Sequence, residues 1–306
     1  MTGKEQEGIL GKSMNDQLLL LLRRFSVTLK RIPGFIFLLE PMRKLFASRK
    51  QPVVVSDFDG HLKVKLRLDE HMQSQIFWYG YYSRDIVLLM NRILQPRMVV
   101  LDVGANIGEI TMAAAQRVGS NGHVYSFEPM TPLYSRLTEH LGMNGMNQVT
   151  PIAKGLSDRI GTATIFSAEA PFEDGTRHDG LGTLYPTASR SVAAGDIELT
   201  TLDEFCSSSN ITRIDLVKID VEGAELAVLK GGLTSIARFQ PFLIVEVQTE
   251  TAQDAGYKSE DIISLLKSMG YTFFVIGRKA RLRPLGEAGL ASFQNVLCVP
   301  AGVEVP

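Results

Sequence analysis

Three stretches and two isolated residues carry the types that could do chemistry. The first stretch is VVLDVGANIGE, where an apolar run stops at Asp102 and passes through Gly104, Asn106 and Gly108 into a helix start. Gly104 can take a positive φ, Gly108 lets the helix begin close to a ligand, and the free N–H groups of the first turn face that ligand. The second is VYSFEPM, which places Glu128 at the tip of the next apolar run. A carboxylate there can accept hydrogen bonds from both hydroxyls of a ribose. Together these describe a nucleoside-binding corner. The spacing Gly-x-x-x-Gly, with Asn106 in the middle, departs from the Gly-x-Gly-x-x-Gly dinucleotide fingerprint and disfavours NAD.

The third stretch is DLVKIDVEGAELAVLKG. A strand period of two sends Lys218 and Asp220 to one face, and charges inside a covered strand are costly unless paired or used. They read either as an ion pair that sets local geometry or as reacting groups, with Asp220, at the carboxyl end, the stronger candidate. Glu222 and Glu225 read as acids at the start of the following helix, where its dipole favours them. Glu246 stands at the next strand end, and His178 beside Asp179 in a long loop; a lone loop histidine reads equally well as solvated. Asp220 and Glu246 could converge on a hard cation, but no compact ligand motif is present and no metal is expected.

These residues need a scaffold. Candidate strands fall at 98–102, 123–128, 149–154, 214–220, 241–248 and 271–276, with 295–299 as a last edge, and helices at 107–118, 131–143, 224–231 and 259–269. Several strands are continuous apolar runs, as in a parallel sheet covered on both faces. The fold class is therefore α/β, a doubly wound, mostly parallel sheet whose ligands lie beyond the strands' carboxyl ends. Upstream, 53–68 alternates around Asp59-Gly60 and predicts a β-hairpin, and 69–95 reads as an aromatic-rich helical stretch. The 40 residues from Phe166 to Phe205 read as an unusually long connection, the kind that is commonly functional.

At this point the chain resembles the FkbM-type S-adenosylmethionine-dependent methyltransferases, of Rossmann-like class I fold. The resemblance rests on VLDVGANIGEIT, VYSFEP, AKGLSD, TTLDEF, PFLIVEV and above all the Lys-Ile-Asp-Val-Glu-Gly-x-Glu motif, over roughly residues 78–277. It implies S-adenosylmethionine as cofactor, with Asp102, Gly104, Asn106 and Gly108 around its methionine part, Glu128 on its ribose and Ser157-Asp158 near its adenine. Asp158 also fits a plain turn acid before Gly161. It further implies methyl transfer to a hydroxyl of a sugar, glycolipid or related small metabolite, with Asp220, Glu246 and His178 as candidate bases and Lys218 beside them. One departure is visible: where family members often carry Gly-x-x-Glu, YGYYSRD has Ser83, with Asp85 the nearest acid. The expected layout is an arm at 1–52, a hairpin and helical lead-in at 53–96, and a methyltransferase domain at 97–300.

Charge is uneven. Residues 17–50 hold eight basic residues (Arg23, Arg24, Lys30, Arg31, Arg43, Lys44, Arg49 and Lys50) against Glu40 alone, interleaved with apolar runs at 18–22 and 35–39. Those runs are far short of the roughly 20 residues that span a bilayer. The arm reads as one or two amphipathic helices broken near Pro33-Gly34, either a helical cap or oligomer contact, or a peripheral membrane or partner-docking element. Taking the arm's +7 and the −1 of residues 1–16 from the chain's −1 leaves −7 over 51–306, no footprint for nucleic acid. Two distant cysteines, Cys206 and Cys298, suggest a reducing compartment and a cytoplasmic location. A non-catalytic nucleoside-binding module and an NAD-dependent oxidoreductase are the rival readings.

Overall fold

A computed structural model describes residues 3–29, 35–167, 176–177, 180, 182–187 and 190–306. The chain forms two compact units, Met1–Tyr82 with Ala170–His178, and Ser83–Glu169 with Asp179–Pro306.

In the first unit, helices Gly3–Leu29 and Phe35–Phe46 precede an antiparallel hairpin of β1 (Val53–Phe58) and β2 (Leu62–Leu66) and the helix His71–Tyr79. The hairpin turns on Asp59 and Gly60, both at positive φ, as its sequence predicts. Val53, Val55, Phe58, Leu62, Val64 and Leu66 are all buried, so one pleat face supplies the core and the other faces water. The stretch 69–95 is not one helix. Gly80, at φ 85, ends the first helix with its N–H on the Ile76 carbonyl, and a second runs over Arg84–Ile93 in the other unit. Part of the arm's charge turns inward. Arg23 is buried, with Nε 2.8 Å from Asp57, its guanidinium on the Ile76 and Phe77 carbonyls and over the Phe77 ring. Arg43 pairs with Glu40 and Arg49 with Asp16.

The second unit is built on β3 (Val99–Val103), β4 (His123–Phe127), β5 (Val149–Ile152), β6 (Gly155–Leu156), β7 (Gly161–Ser167), β8 (Val192–Thr200), β9 (Leu216–Ile219), β10 (Phe242–Gln248), β11 (Tyr271–Gly277), β12 (Arg281–Pro284) and β13 (Phe293–Pro300). Eight of the described strands form one sheet in the order β12-β11-β13-β10-β9-β3-β4-β5, parallel from β10 to β5. This bears out the doubly wound α/β fold. Leu101, Val103, Val217, Ile219, Leu243 and Val245 have no exposed surface, each contributing about 1.5–3 kcal/mol by burial.

Two expectations are corrected here. The strand read as the last edge, β13, instead inserts between β10 and β11, antiparallel to both. Val296 to Val299 are fully buried, as a run apolar on both faces requires; the edge is left to β12, whose Arg281, Arg283 and Pro284 are exposed. The long connection is also partly sheet: β8 pairs with β6 and, antiparallel, with β7. Its sequence VAAGDIELT, mostly exposed and weak in strand formers, hid it.

Candidate active site

β3 ends at Asp102-Val103 and runs into a corner held from several sides. Gly104 and Ala105 both donate N–H to the Phe127 carbonyl at 3.0 and 2.9 Å, which hangs the corner on the end of β4. Gly104 (φ 81), Asn106 (φ 51) and Gly108 (φ 94) are all left-handed. Gly104 takes the positive φ its sequence reading expects, and a Cβ there would also lie 1.9 Å from the Asp220 carbonyl; for Gly108 the reason differs, a Cβ lying 2.6 Å from Leu137 Cδ1. Both glycines make room for the protein's own packing.

Glu128, just past β4 and 4% exposed, accepts N–H from Asn106 at 2.8 Å and from Met130 at 2.9 Å, one on each oxygen. Burial pushes its carboxyl up to about 7, against the pull of those two N–H groups. It therefore fixes the corner's geometry, and each oxygen keeps a lone pair for a further donor. His140, fully buried on helix Thr131–Asn144, places Nδ1 2.8 Å from the Ile107 carbonyl and braces the corner from below.

Asp102 does not border the corner's outer surface. It has no exposed surface, takes Thr111 Oγ1 at 2.6 Å and lies opposite Lys218 in the β3–β9 register, Nζ 3.6 Å away. With no accessible surface, it acts through Lys218 and Thr111 rather than by touching a ligand. Lys218 also reaches the Gly104 carbonyl at 3.0 Å and Asp220 at 3.3 Å. Burial opposes its charge, but Asp220, Asp102 and Glu246 outweigh burial and raise its pKa. It is thus a permanent ammonium that ties corner to strand end, not a base.

Beyond β9 the backbone makes a tight turn. Glu222 is left-handed (φ 53), and Gly223 (φ 102) leaves no room for a Cβ, which would sit 2.8 Å from the Thr251 carbonyl. Glu225 accepts N–H from Val221 at 2.9 Å and Gly223 at 3.1 Å, and O–H from Tyr257 at 3.1 Å, so this buried acid clasps the turn. The turn swings Glu222 away from the helix start expected for it. Its carboxylate meets Arg190 at 3.0 Å, and its carbonyl accepts from Thr183 Oγ1 at 2.9 Å. The long connection therefore does reach the site, through Thr183 and Arg190.

Glu246 lies one position beyond the Val245–Ile219 pair, at the height of Asp220. Carboxylate oxygens of Asp220, Glu222 and Glu246 lie within 4.8 Å of one another, close enough to share a hard divalent cation or a set of hydroxyl donors. Crowding has the expected effect. Burial, then Asp220 and Glu222, pushes Glu246 up to about 10, and burial with Asp220 pushes Glu222 up to about 7. Asp220 is more open than Glu222, its side chain 30% exposed against 15%.

A family model described as the methyltransferase FkbM domain matches residues 102–273, more than half of the chain. The chain belongs to the FkbM methyltransferase family. It is thus a methyltransferase, and the oxidoreductase reading is set aside. The chain is 28% identical over 209 residues to the hexuronic acid methyltransferase AglP of Haloferax volcanii, covering 64% of this chain and 77% of that one. It is 25% identical to the 2-O-methyltransferase NoeI of Sinorhizobium fredii, covering 60% and 76%. It is also 28% identical over 243 residues to the AMB antimetabolite synthetase AmbE of Pseudomonas aeruginosa, covering 69% of this chain but spanning only 11% of that one.

Set against this family frame, the expected residues separate. Asn106 and Glu128 meet at the corner, while Lys218, Asp220 and Glu246 meet at the ends of β9 and β10. Ser157 is buried against Gly231, where a Cβ would lie 2.0 Å from the Ser157 carbonyl, and Asp158 beside it is half exposed. Burial and the charge of Asp158 raise the phenol of Tyr185, which comes from the long connection. His178 lies outside the described residues. Ser83, at the missing glutamate's position, donates its N–H to Glu109 at 3.1 Å; Asp85 accepts from Lys279 N at 2.8 Å and is not a stand-in. Arg190, Tyr185 and His140 are the residues sequence reasoning missed, and Glu222 is one it reads only as a helix-start acid.

Proposed function

We propose that the chain is an S-adenosylmethionine-dependent O-methyltransferase whose acceptor is a hydroxyl of a sugar, glycolipid or related small metabolite. The observation that carries this reading is the carboxylate trio Asp220, Glu222 and Glu246, packed beside a corner that ends in Glu128. Three acids at that spacing suit a ligand rich in hydroxyl donors. The names of two relatives, a hexuronic acid methyltransferase and a 2-O-methyltransferase, point to the same acceptor class.

The donor set fits the cofactor. Glu128 retains acceptor capacity for ribose hydroxyls, and the corner it holds through the Asn106 N–H leads into helix Glu109–Val118. Asp158 and Tyr185 supply a polar and an aromatic group for the adenine. When bound, the cofactor supplies a methyl group on a positively charged sulfur.

The chain's own residues then align and deprotonate the acceptor. Asp220, open at the strand end and held by Lys218 at 3.3 Å, would take the proton of an acceptor hydroxyl placed against it. Glu246 and Glu222 hold neighbouring hydroxyls, and Arg190 keeps Glu222 in place. Lys218 stays protonated throughout. Much of the rate comes from holding three atoms in line.

The test is a panel of uronic acids, activated sugars and glycolipids with labelled methyl donor, followed by mapping of the product. The reading predicts label on a hydroxyl oxygen and release of S-adenosylhomocysteine. Label found only on nitrogen or carbon, or no calorimetric binding of S-adenosylhomocysteine, overturns it.

A further inference from the structure

Helix Gly3–Leu29 presents two opposite faces. Leu19, Arg23 and Ser26 are buried, with Arg23 and Ser26 bonded to the carbonyls of helix His71–Tyr79. On the far side Leu18, Leu21 and Phe25 are 50%, 50% and 55% exposed. At 3.6 residues per turn these three fall within an arc of about 60°, roughly opposite the buried row. Arg24 is exposed beside them. The second arm helix, Phe35–Phe46, repeats the pairing: Leu45 is 73% exposed and Lys44 next to it is exposed.

An aqueous surface gains nothing from such a row, whereas scattered single apolar residues would need no explanation. The sign of the surrounding charge selects the occupant. Among the described residues of 16–50, the exposed charged side chains are Arg24, Lys44 and Lys50, all basic; the acids Asp16 and Glu40 are held by Arg49 and Arg43. Leucine and phenylalanine with flanking cations and no opposing acid match the boundary of an anionic bilayer, where rings and aliphatic chains enter the acyl region and cations meet lipid phosphates. Among the described residues, no helix is long and apolar enough to cross a membrane, so the contact is with its surface.

We propose that the exposed apolar residues of the two arm helices, Leu18, Leu21, Phe25 and Leu45 with Arg24 and Lys44, dock the chain on an anionic lipid surface. The interaction is independent of which acceptor is methylated. It accounts for large apolar side chains left in water beside cations, when the same helix buries an arginine against the unit's core.

The experiment is cosedimentation of the full chain with phosphatidylcholine vesicles, with and without phosphatidylglycerol, at low and high salt. Two variants accompany it: Leu21→Ser/Phe25→Ser and Arg24→Glu/Lys44→Glu. All four positions are exposed, so both variants should melt with the wild type. Binding is expected to the anionic vesicles alone, to weaken with salt, and to fall about tenfold or more in the first variant, as loss of a buried aromatic implies. The charge-reversal variant should lose selectivity for phosphatidylglycerol. No sedimentation, equal binding to neutral vesicles, or wild-type binding by both variants overturns the proposal. So does sedimentation equilibrium in which the serine variant dissociates a dimer while vesicle binding stays unchanged, which would assign the face to a second copy.

Discussion

Asp102 and Lys218 face each other across the β3–β9 register, Nζ 3.6 Å from Oδ1, at a depth where the acid has no exposed surface. The same ammonium holds the Gly104 carbonyl, so one buried charge joins the corner to the strand end that carries Asp220. Removing it strands an acid in the interior. Lys218→Met is expected to lose about 3–5 kcal/mol of stability, measured by urea unfolding. Lys218→Met with Asp102→Asn should recover part of that loss, because no uncompensated charge remains. A single variant as stable as wild type would refute the coupling.

Asp220 is the residue assigned to the proton. Asp220→Asn is expected to lower kcat by about a hundredfold to ten-thousandfold, with calorimetric affinity for S-adenosylhomocysteine changed only a few-fold. The direct role also predicts that the wild type keeps its activity after exhaustive treatment with EDTA. Loss of activity with EDTA and recovery with magnesium or manganese would transfer the task to a cation on Asp220, Glu222 and Glu246.

Glu246 gives a pH signature. Its folded-state pKa, up to about 10, lies above that of an unfolded glutamate, so its contribution to stability is fully present below about pH 4.5 and is lost as pH rises through 10. Glu246→Gln mimics the protonated form and removes that loss. Melting temperatures of variant and wild type should coincide near pH 4 and diverge toward pH 10 in favour of glutamine. Parallel curves across the range would show that the carboxyl is not held protonated.

Glu128 links pH to donor binding. Its carboxyl, raised to about 7, must ionise to accept ribose hydroxyls well, so affinity for S-adenosylhomocysteine should climb as pH passes from 6 to 8. Glu128→Gln should bind about tenfold to a hundredfold more weakly at pH 8, the scale of a lost hydrogen bond to a charged group, and should flatten the climb. An affinity that ignores both pH and substitution removes Glu128 from the donor site.

What was legible in the sequence followed from chemistry that is local. Largely apolar runs marked β3, β9 and β10, because strands covered on both faces admit little else, and a period of two paired Lys218 with Asp220. The missed features depend on what arrives from elsewhere in the chain. Glu222 reads as a helix-start acid until its left-handed backbone turns it toward Arg190, which comes from a connection with no periodic pattern. Gly108 reads as room for a ligand, yet the atom that excludes a side chain there belongs to Leu137. His140 left one faint trace: it shares a helical face with Leu133, Leu137 and Leu141, where a histidine needs a buried partner.

The insertion of β13 sets an order on synthesis. A nascent chain that has emerged only through β12 holds β10 and β11 with the lane between them vacant, each presenting unbonded amides and carbonyls to solvent or to a chaperone. The central sheet can be sealed only when residues 293–300 thread into that lane. A stop codon before residue 293 would therefore leave an aggregation-prone gap inside the sheet rather than a frayed end.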